Sequence, residues 1–298
     1  MAIDINRVRN WPFPLITQDY TEKDSILYAL ALGYGSNPTD AAELSFVYEQ
    51  GLQAVPSMVN VLCHPGFWIS DARTGIDASR AVHGEQHVIF HAPLAPRGRV
   101  RGQTRVEDVI DKGPGKGALL IVTRQLHDDV SGTLLASITQ RTLCRGDGGF
   151  SSADASAAAP VGQKGKAVSA SDSAALARPP NISIDLLTLP QAALLYRLSA
   201  DRNPLHADPD VARKAGFPRP ILHGLCTYGM ATRAIITACC ENVADRLGSL
   251  NVRFSAPVFP GEVLRTEIWE GDEGLRFRCL VPDRETVVIS NGVATLRH

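Results

Sequence analysis

Long apolar runs are missing from this chain. No stretch reaches about 18 uninterrupted apolar residues, so no membrane-spanning helix is expected. A charge of one sign is missing as well: 30 Lys and Arg stand against 31 Asp and Glu, a formal charge of −1. That balance gives no reason to expect a nucleic-acid partner or a polybasic membrane anchor. Cysteine is sparse and unpatterned. Cys63, Cys144, Cys226, Cys239, Cys240 and Cys279 include no CxxC pair, which argues against a disulfide framework and for reduced thiols packed as small hydrophobes. No apolar run follows the polar, charged stretch Met1 to Arg9, so no signal peptide is expected. The final Leu296-Arg297-His298 matches no common peroxisomal or lipidation signal. Cytoplasm is the default expectation. Familiar catalytic fingerprints are also missing: HExxH, GxSxG, a complete P-loop and the dinucleotide-binding glycines.

What is there is enough apolar material, 44% of 298 residues, for one large domain or two of about 150. Residues 151–180 break the pattern. They hold 10 Ala, 6 Ser, 2 Gly and 3 Pro and almost no large apolar side chain, so burial cannot repay their ordering entropy. The segment reads as a linker between halves spanning 1–150 and 181–298. Each half runs helices first, then strands. In the first, helices are expected at 24–32 and 56–63 and strands at 87–91, 98–110, 118–127 and 134–144. In the second, 208–215 reads as a short helix and 222–240 as a buried one, followed by strands at 249–254, 262–270, 274–280 and 286–296. Antiparallel strands around an apolar helix make an α+β layout, and its repetition suggests two related domains.

Chemistry concentrates at Asp201-Arg202-Asn203-Pro204-Leu205-His206. Asn-Pro favours a turn, and the turn can bring a carboxylate and an imidazole into one small volume. Such a pair suits proton transfer near neutral pH. An Asp-capped turn with a surface histidine is the structural alternative. Seventeen residues after His206 come His223 and Gly224, at the head of the apolar run. A glycine at a helix N-terminus offers an unpaired N–H to an oxygen gaining negative charge; close packing is the alternative. His223 reads equally well as a ligand or as a buried, capping residue. His83-Gly84-Glu85-Gln86 forms a second polar knot, read as substrate-lining or structural because no paired nucleophile is apparent, with a catalytic role the alternative. Lys112 with Gly113, Gly115, Lys116 and Gly117 reads as a hairpin turn, with phosphate or carboxylate contact the sharper option. The histidines show no tight metal signature, so no metal site is expected.

Tyr196 to His206, with Ala215-Gly216-Phe217 and Pro220 to Thr227, resembles the signature of the (R)-specific enoyl-CoA hydratases, also called hydratase 2 or MaoC-like dehydratases. Tyr28-Ala29-Leu30, Phe46 to Glu49, Pro56, His83 to Gln86 and Asp111-Lys112-Gly113 resemble the long, two-domain form found in peroxisomal multifunctional enzymes. Ala200 departs from the pattern, since many relatives have glycine before the Asp. The resemblance implies a double hot-dog fold, each half an antiparallel sheet wrapped around a central helix. It implies that the C-terminal half is catalytic and that the N-terminal half accommodates bulky acyl groups.

By the same resemblance Asp201 and His206 activate water, Asn203 shapes the turn, and Gly224 N–H polarises the thioester carbonyl. His83, Gly84, Lys112 and Phe254 match acyl-CoA contacts, and Arg202 in the turn is expected with them. The implied reaction is reversible hydration of trans-2-enoyl-CoA to (3R)-3-hydroxyacyl-CoA, with no metal, nicotinamide or flavin. A homodimer is compatible with it. The alternatives are a dehydratase for a specialised steroid side-chain or dicarboxylic hydroxyacyl-CoA, and a noncatalytic acyl-CoA-binding protein.

Overall fold

A computed structural model of the chain describes residues 3–151, 178–272 and 274–297. Most of the expected linker at 151–180 lies outside the described residues. The first half contains helices α1 (Ile5–Arg9), α2 (Glu22–Ala31) and α3 (Leu44–Val47) and strands β1 (Ile16–Tyr20), β2 (Ala81–Phe90), β3 (Gly98–Asp111), β4 (Ala118–Asp128) and β5 (Leu134–Cys144). The second half contains β6 (Ile182–Leu187), helices α4 (Ala192–Tyr196), α5 (Pro209–Lys214) and α6 (Gly224–Cys239), and strands β7 (Leu247–Phe254), β8 (Val263–Gly271), β9 (Gly274–Val281) and β10 (Thr286–Leu296).

All ten strands form one antiparallel sheet in the order β1-β3-β4-β5-β2-β7-β10-β9-β8-β6. Read from either edge inward, the order is the same once β6 to β10 are matched in sequence with β1, β2, β3, β4 and β5 taken as β6, β7, β8, β9 and β10. The duplication suggested by the sequence is therefore written into the sheet. The halves meet where β2 pairs with β7, Glu85 opposite Arg253 through Ile89 opposite Ser249. This is the double hot-dog arrangement that the resemblance implies.

Local chemistry explains most of the elements. Thr21 and Asp24 form a reciprocal capping box at the start of α2. Strand β9 alternates strictly between buried and half-buried residues, as a strand packed on one face should. Helix α6 has no polar face; every residue from Cys226 to Ile236 is buried, which makes it the central helix of the second half. Edge strands β1 and β6 escape the hydrophobic pattern because they are short and partly polar. Their conformation is decided by the open edges of β3 and β8 that they complete.

One expected helix is corrected. Residues 56–63 do not form an α-helix; Pro56–Asn60 is a 3₁₀ turn. Arg124 on β4 donates to the carbonyls of Val59 and Asn60 at 3.2 and 2.7 Å, so the carbonyls that would continue a helix are taken by a side chain. The chain then turns at Cys63, whose φ is 50°. A Cβ at Gly102 would stand 2.5 Å from the Cys63 Cβ, so this approach requires glycine.

Helix α6 is anchored across the halves. A Cβ at Gly229 would meet Leu32 at 2.5 Å, so the helix seats directly on α2 and its C-cap. Four residues on, the guanidinium of Arg233 pairs with Glu43 deep in the core.

Candidate active site

Asp201 and His206 sit on a tight turn whose shape is set by its own side chains. Asp201 Oδ1 accepts from the Asn203 N–H at 2.9 Å, and Asn203 Oδ1 accepts from the Leu205 N–H at 3.0 Å. These two Asx-type bonds wind Pro204–His206 into a 3₁₀ turn with Pro204 at its start. Asn203 therefore shapes the turn, and His206 is delivered to the interior, 8% exposed.

The turn packs against the strap that leads into α6. His206 Nδ1 lies 2.9 Å from the Ile221 carbonyl oxygen. That oxygen only accepts, so Nδ1 carries the proton and Nε2 keeps its lone pair. The His206 ring stacks on His223, centroids 3.7 Å apart and planes at 28°. His223 Nε2 donates to the Asp201 carbonyl at 3.1 Å. Burial pushes the His206 imidazole below its usual range, while the Ile221 bond and the Asp201 charge pull the other way. Burial, then the neighbouring His206, lowers His223 to about 4. Both rings are therefore neutral near pH 7.

Gly224 is the first residue of α6, with His223 as its N-cap. Its N–H falls among those that no intrahelical carbonyl reaches. A Cβ at Gly224 would lie 3.5 Å from the Phe254 ring, so Phe254 walls this helix end. The other side of Phe254 meets the N-terminal half. The β2–β7 pairing sets Glu85 opposite Arg253, and the His83 ring stands edge-on to Phe254 at 4.8 Å. His83 Nε2 donates to Gln86 Oε1 at 2.9 Å, and Gln86 passes its own N–H to Asn60 at 2.8 Å. Burial lowers His83 to about 4.

The structure thus brings together Asp201, Asn203, His206, Gly224, Phe254 and His83, with Gly84 beside them on β2. Arg202 and Lys112 are both exposed. Lys112 sits on the expected hairpin between β3 and β4, closed by its N–H to the Gly117 carbonyl at 3.0 Å. The Asp111 carboxylate fixes this hairpin. Its partial burial raises the pKa, but bonds from the N–H groups of Gly149, Ser151 and Gly113 prevail and hold it at about 2.

Two residues of the site went unassigned in the sequence. His223 is 2% exposed and touches both the Asp201 turn and the His206 ring. Its place beside Gly224 left it open between a ligand and a buried, capping residue, and only packing selects its partners. His64, from the N-terminal half, is lowered to about 4 by burial, then by Arg124, while the Asp201 carboxylate acts on it across the domain boundary. No local motif marks it. Asp201, His206 and His223 also place potential ligand atoms within 4.8 Å of one another. The two rings lie face to face, an arrangement that directs their in-plane lone pairs alongside each other rather than to one point.

Known proteins bear on this arrangement. The family description "MaoC like domain" matches residues 171–291, and "MFE-2 hydratase 2 N-terminal domain" matches residues 18–146. The chain is 37% identical to an enoyl-CoA hydratase of Mycobacterium tuberculosis, covering 98% of both proteins. It is 35% identical to a peroxisomal enoyl-CoA hydratase 2 of Arabidopsis thaliana, covering 92% of this chain and 89% of that one. Among solved structures, a MaoC-like dehydratase of Phytophthora capsici superposes with a TM-score of 0.79 at 30% identity, covering 98% of each chain. A Mycobacterium tuberculosis protein with a double hot-dog fold shares the fold alone, at 15% identity and a TM-score of 0.55. The cytoplasmic expectation is corrected here: relatives from mouse, Arabidopsis, Drosophila, Neurospora and yeast are named as peroxisomal proteins. That expectation rested only on finding no address in the sequence, which is no evidence for a compartment.

Proposed function

We propose, since this chain belongs to the MaoC-like dehydratase family, that it adds water reversibly to trans-2-enoyl-CoA to give (3R)-3-hydroxyacyl-CoA. Hydratase or dehydratase chemistry is the family-level activity; the stereochemistry and the substrate are our reading. The observation that carries it is the grouping of the Asp201 carboxylate, the His206 Nε2 lone pair and the Gly224 helix end beside an interdomain wall. In hydration the water oxygen bonds to C3 of the enoyl thioester. One water proton passes to the Asp201–His206 pair, and the pair returns a proton to C2. Negative charge gathers meanwhile on the thioester oxygen, where the Gly224 N–H stabilises it. One such donor is commonly worth about 3 kcal/mol.

In this reading no metal, nicotinamide or flavin takes part. The C-terminal half supplies the chemistry, and the N-terminal half, through His83 and Gly84, lines the acyl side. Lys112 and Arg202 serve the CoA end, and a homodimer is the assembly we infer. The test is a panel of crotonyl-, decenoyl- and branched trans-2-enoyl-CoA thioesters, followed by loss of the enoyl-thioester absorbance and by chiral analysis of the product. Turnover to the 3R alcohol supports the reading. Folded protein inert across the panel defeats it, and a 3S product defeats the stereochemical part. Asp201→Asn and His206→Ala should each lower turnover by at least about 10²-fold with the fold intact. Near-normal rates in either variant remove that residue from its role.

A further inference from the structure

We infer that His223 is a positioning residue that locks the Asp201–His206 turn against the strap Ile221–Gly224. The inference rests on the hydration reading above for its kinetic consequences, though not for its geometry. Turn and strap are joined by two reciprocal bonds. The turn's side chain reaches the strap's backbone, from His206 Nδ1–H to the Ile221 carbonyl at 2.9 Å. The strap's side chain reaches the turn's backbone, from His223 Nε2–H to the Asp201 carbonyl at 3.1 Å. The stacked rings fill the space between the two bonds.

The strap is held at both of its ends. Leu222 N–H donates to the Val258 carbonyl at 2.7 Å, and the His223 carbonyl accepts from Cys226 and Thr227 as α6 begins. A single side chain therefore connects three parts that must keep their mutual geometry: the carboxylate turn, the imidazole and the helix end bearing Gly224. Displacements of about 1 Å among such groups cost up to about 10²-fold in rate.

The residue type argues against simple space-filling. His223 Nδ1 is buried and has no hydrogen-bond partner. An apolar ring of similar size would leave no such atom unsatisfied, so histidine is held here at a cost in stability. What it supplies that an apolar ring cannot is the Nε2–H to Asp201. Its neutrality matters as well. Asp201, His206 and Arg197 are the charged or titratable groups acting on it, and burial keeps it uncharged beside His206. A neutral ring leaves His206 free to take a proton without facing a second cation.

The experiment compares His223→Gln with His223→Phe. Glutamine places an N–H close to where Nε2 lies but loses the ring; phenylalanine keeps the ring and loses the donor. Positioning predicts that His223→Phe lowers kcat at least about 10-fold with KM within about 3-fold, and that His223→Gln recovers most of that loss. Space-filling predicts the reverse order, with phenylalanine near normal, and that order overturns the inference. The imidazole ¹⁵N spectrum gives a readout independent of turnover. In the wild type it should show His223 protonated at Nε2 and His206 at Nδ1, with the His206 tautomer blurred in His223→Phe and kept in His223→Gln. A His223 protonated at Nδ1 overturns the inference even if His223→Phe fails to fold. Wild-type protein inert toward enoyl-CoA but showing these tautomers, blurred in His223→Phe and kept in His223→Gln, refutes the hydration reading alone.

Discussion

Removing the Glu43 carboxylate should destabilise the whole molecule, because it leaves a guanidinium stranded in the core. Arg233 and Glu43 are each 5% exposed. Glu43 Oε1 accepts from Arg233 Nε at 2.9 Å and from Nη2, while Oε2 accepts from the Gly35 N–H at 2.8 Å. Arg233 Nη1 donates to the Leu32 carbonyl at 3.1 Å, and the guanidinium lies over the Tyr34 ring at 4.9 Å. In Glu43→Ala the carbonyl and the ring remain, but the counter-charge is gone and the Gly35 N–H loses its acceptor. Breaking a buried pair from one side costs about 3–5 kcal/mol. For domains in this size range that corresponds to a melting point lower by about 6–20 °C. Differential scanning calorimetry at constant pH measures it. The exposed pair Arg73–Asp71 serves as the internal control, and Asp71→Asn should leave the melting point nearly unchanged, since water screens an exposed pair. Glu43→Leu combined with Arg233→Met removes both charges and should recover most of the loss. A Glu43→Ala shift as small as the Asp71→Asn control would refute the reasoning, as would a double variant no more stable than Glu43→Ala alone.

Three further outcomes are expected. Gly224→Pro deletes one N–H at the first helical position, where proline is accommodated, and the His223 ψ of 137° suits a following proline. Turnover of enoyl-CoA should fall about 10²–10³-fold with the melting point nearly unchanged; a normal rate would show that this N–H does not face the developing oxyanion. His64, His83 and His223 are held at about 4 by burial, so below about 6.5 the unfolded chain binds protons that the fold refuses. Their contribution to stability is complete above that pH and is lost as pH falls toward 4. The urea midpoint should drop across that window, and a flat midpoint contradicts the burial argument. Lys112→Ala should raise KM for an enoyl-CoA but leave KM for the matching enoyl-pantetheine thioester, which lacks the nucleotide, within about 2-fold. Equal rises for both substrates would place Lys112 away from the CoA end.

Residues read alone determined much of this protein. Strand β5 falls on its expected bounds, Leu134–Cys144, and β10 on Thr286–Leu296, because short runs rich in apolar and β-branched residues lie there between turn residues. Helix α6 was legible for the opposite reason, an apolar run with no polar face. The Asp201–His206 turn was legible too, since Asn-Pro and the Asx bonds are local chemistry. What depends on contacts between distant segments was not legible. The 3₁₀ turn at Pro56–Asn60 exists because Arg124 takes its carbonyls from another strand. Edge strands β1 and β6 form only where a neighbour offers an open edge. His223 looked the same in sequence whether it was a ligand or a core residue. Only the packing of turn against strap gave it the Asp201 carbonyl and the His206 ring. His83 and Phe254 lie 171 positions apart in the chain and meet because β2 pairs with β7. Spacing and periodicity encode local geometry; which distant surfaces meet, and so which side chains share a site, is decided when the two halves fold into one sheet.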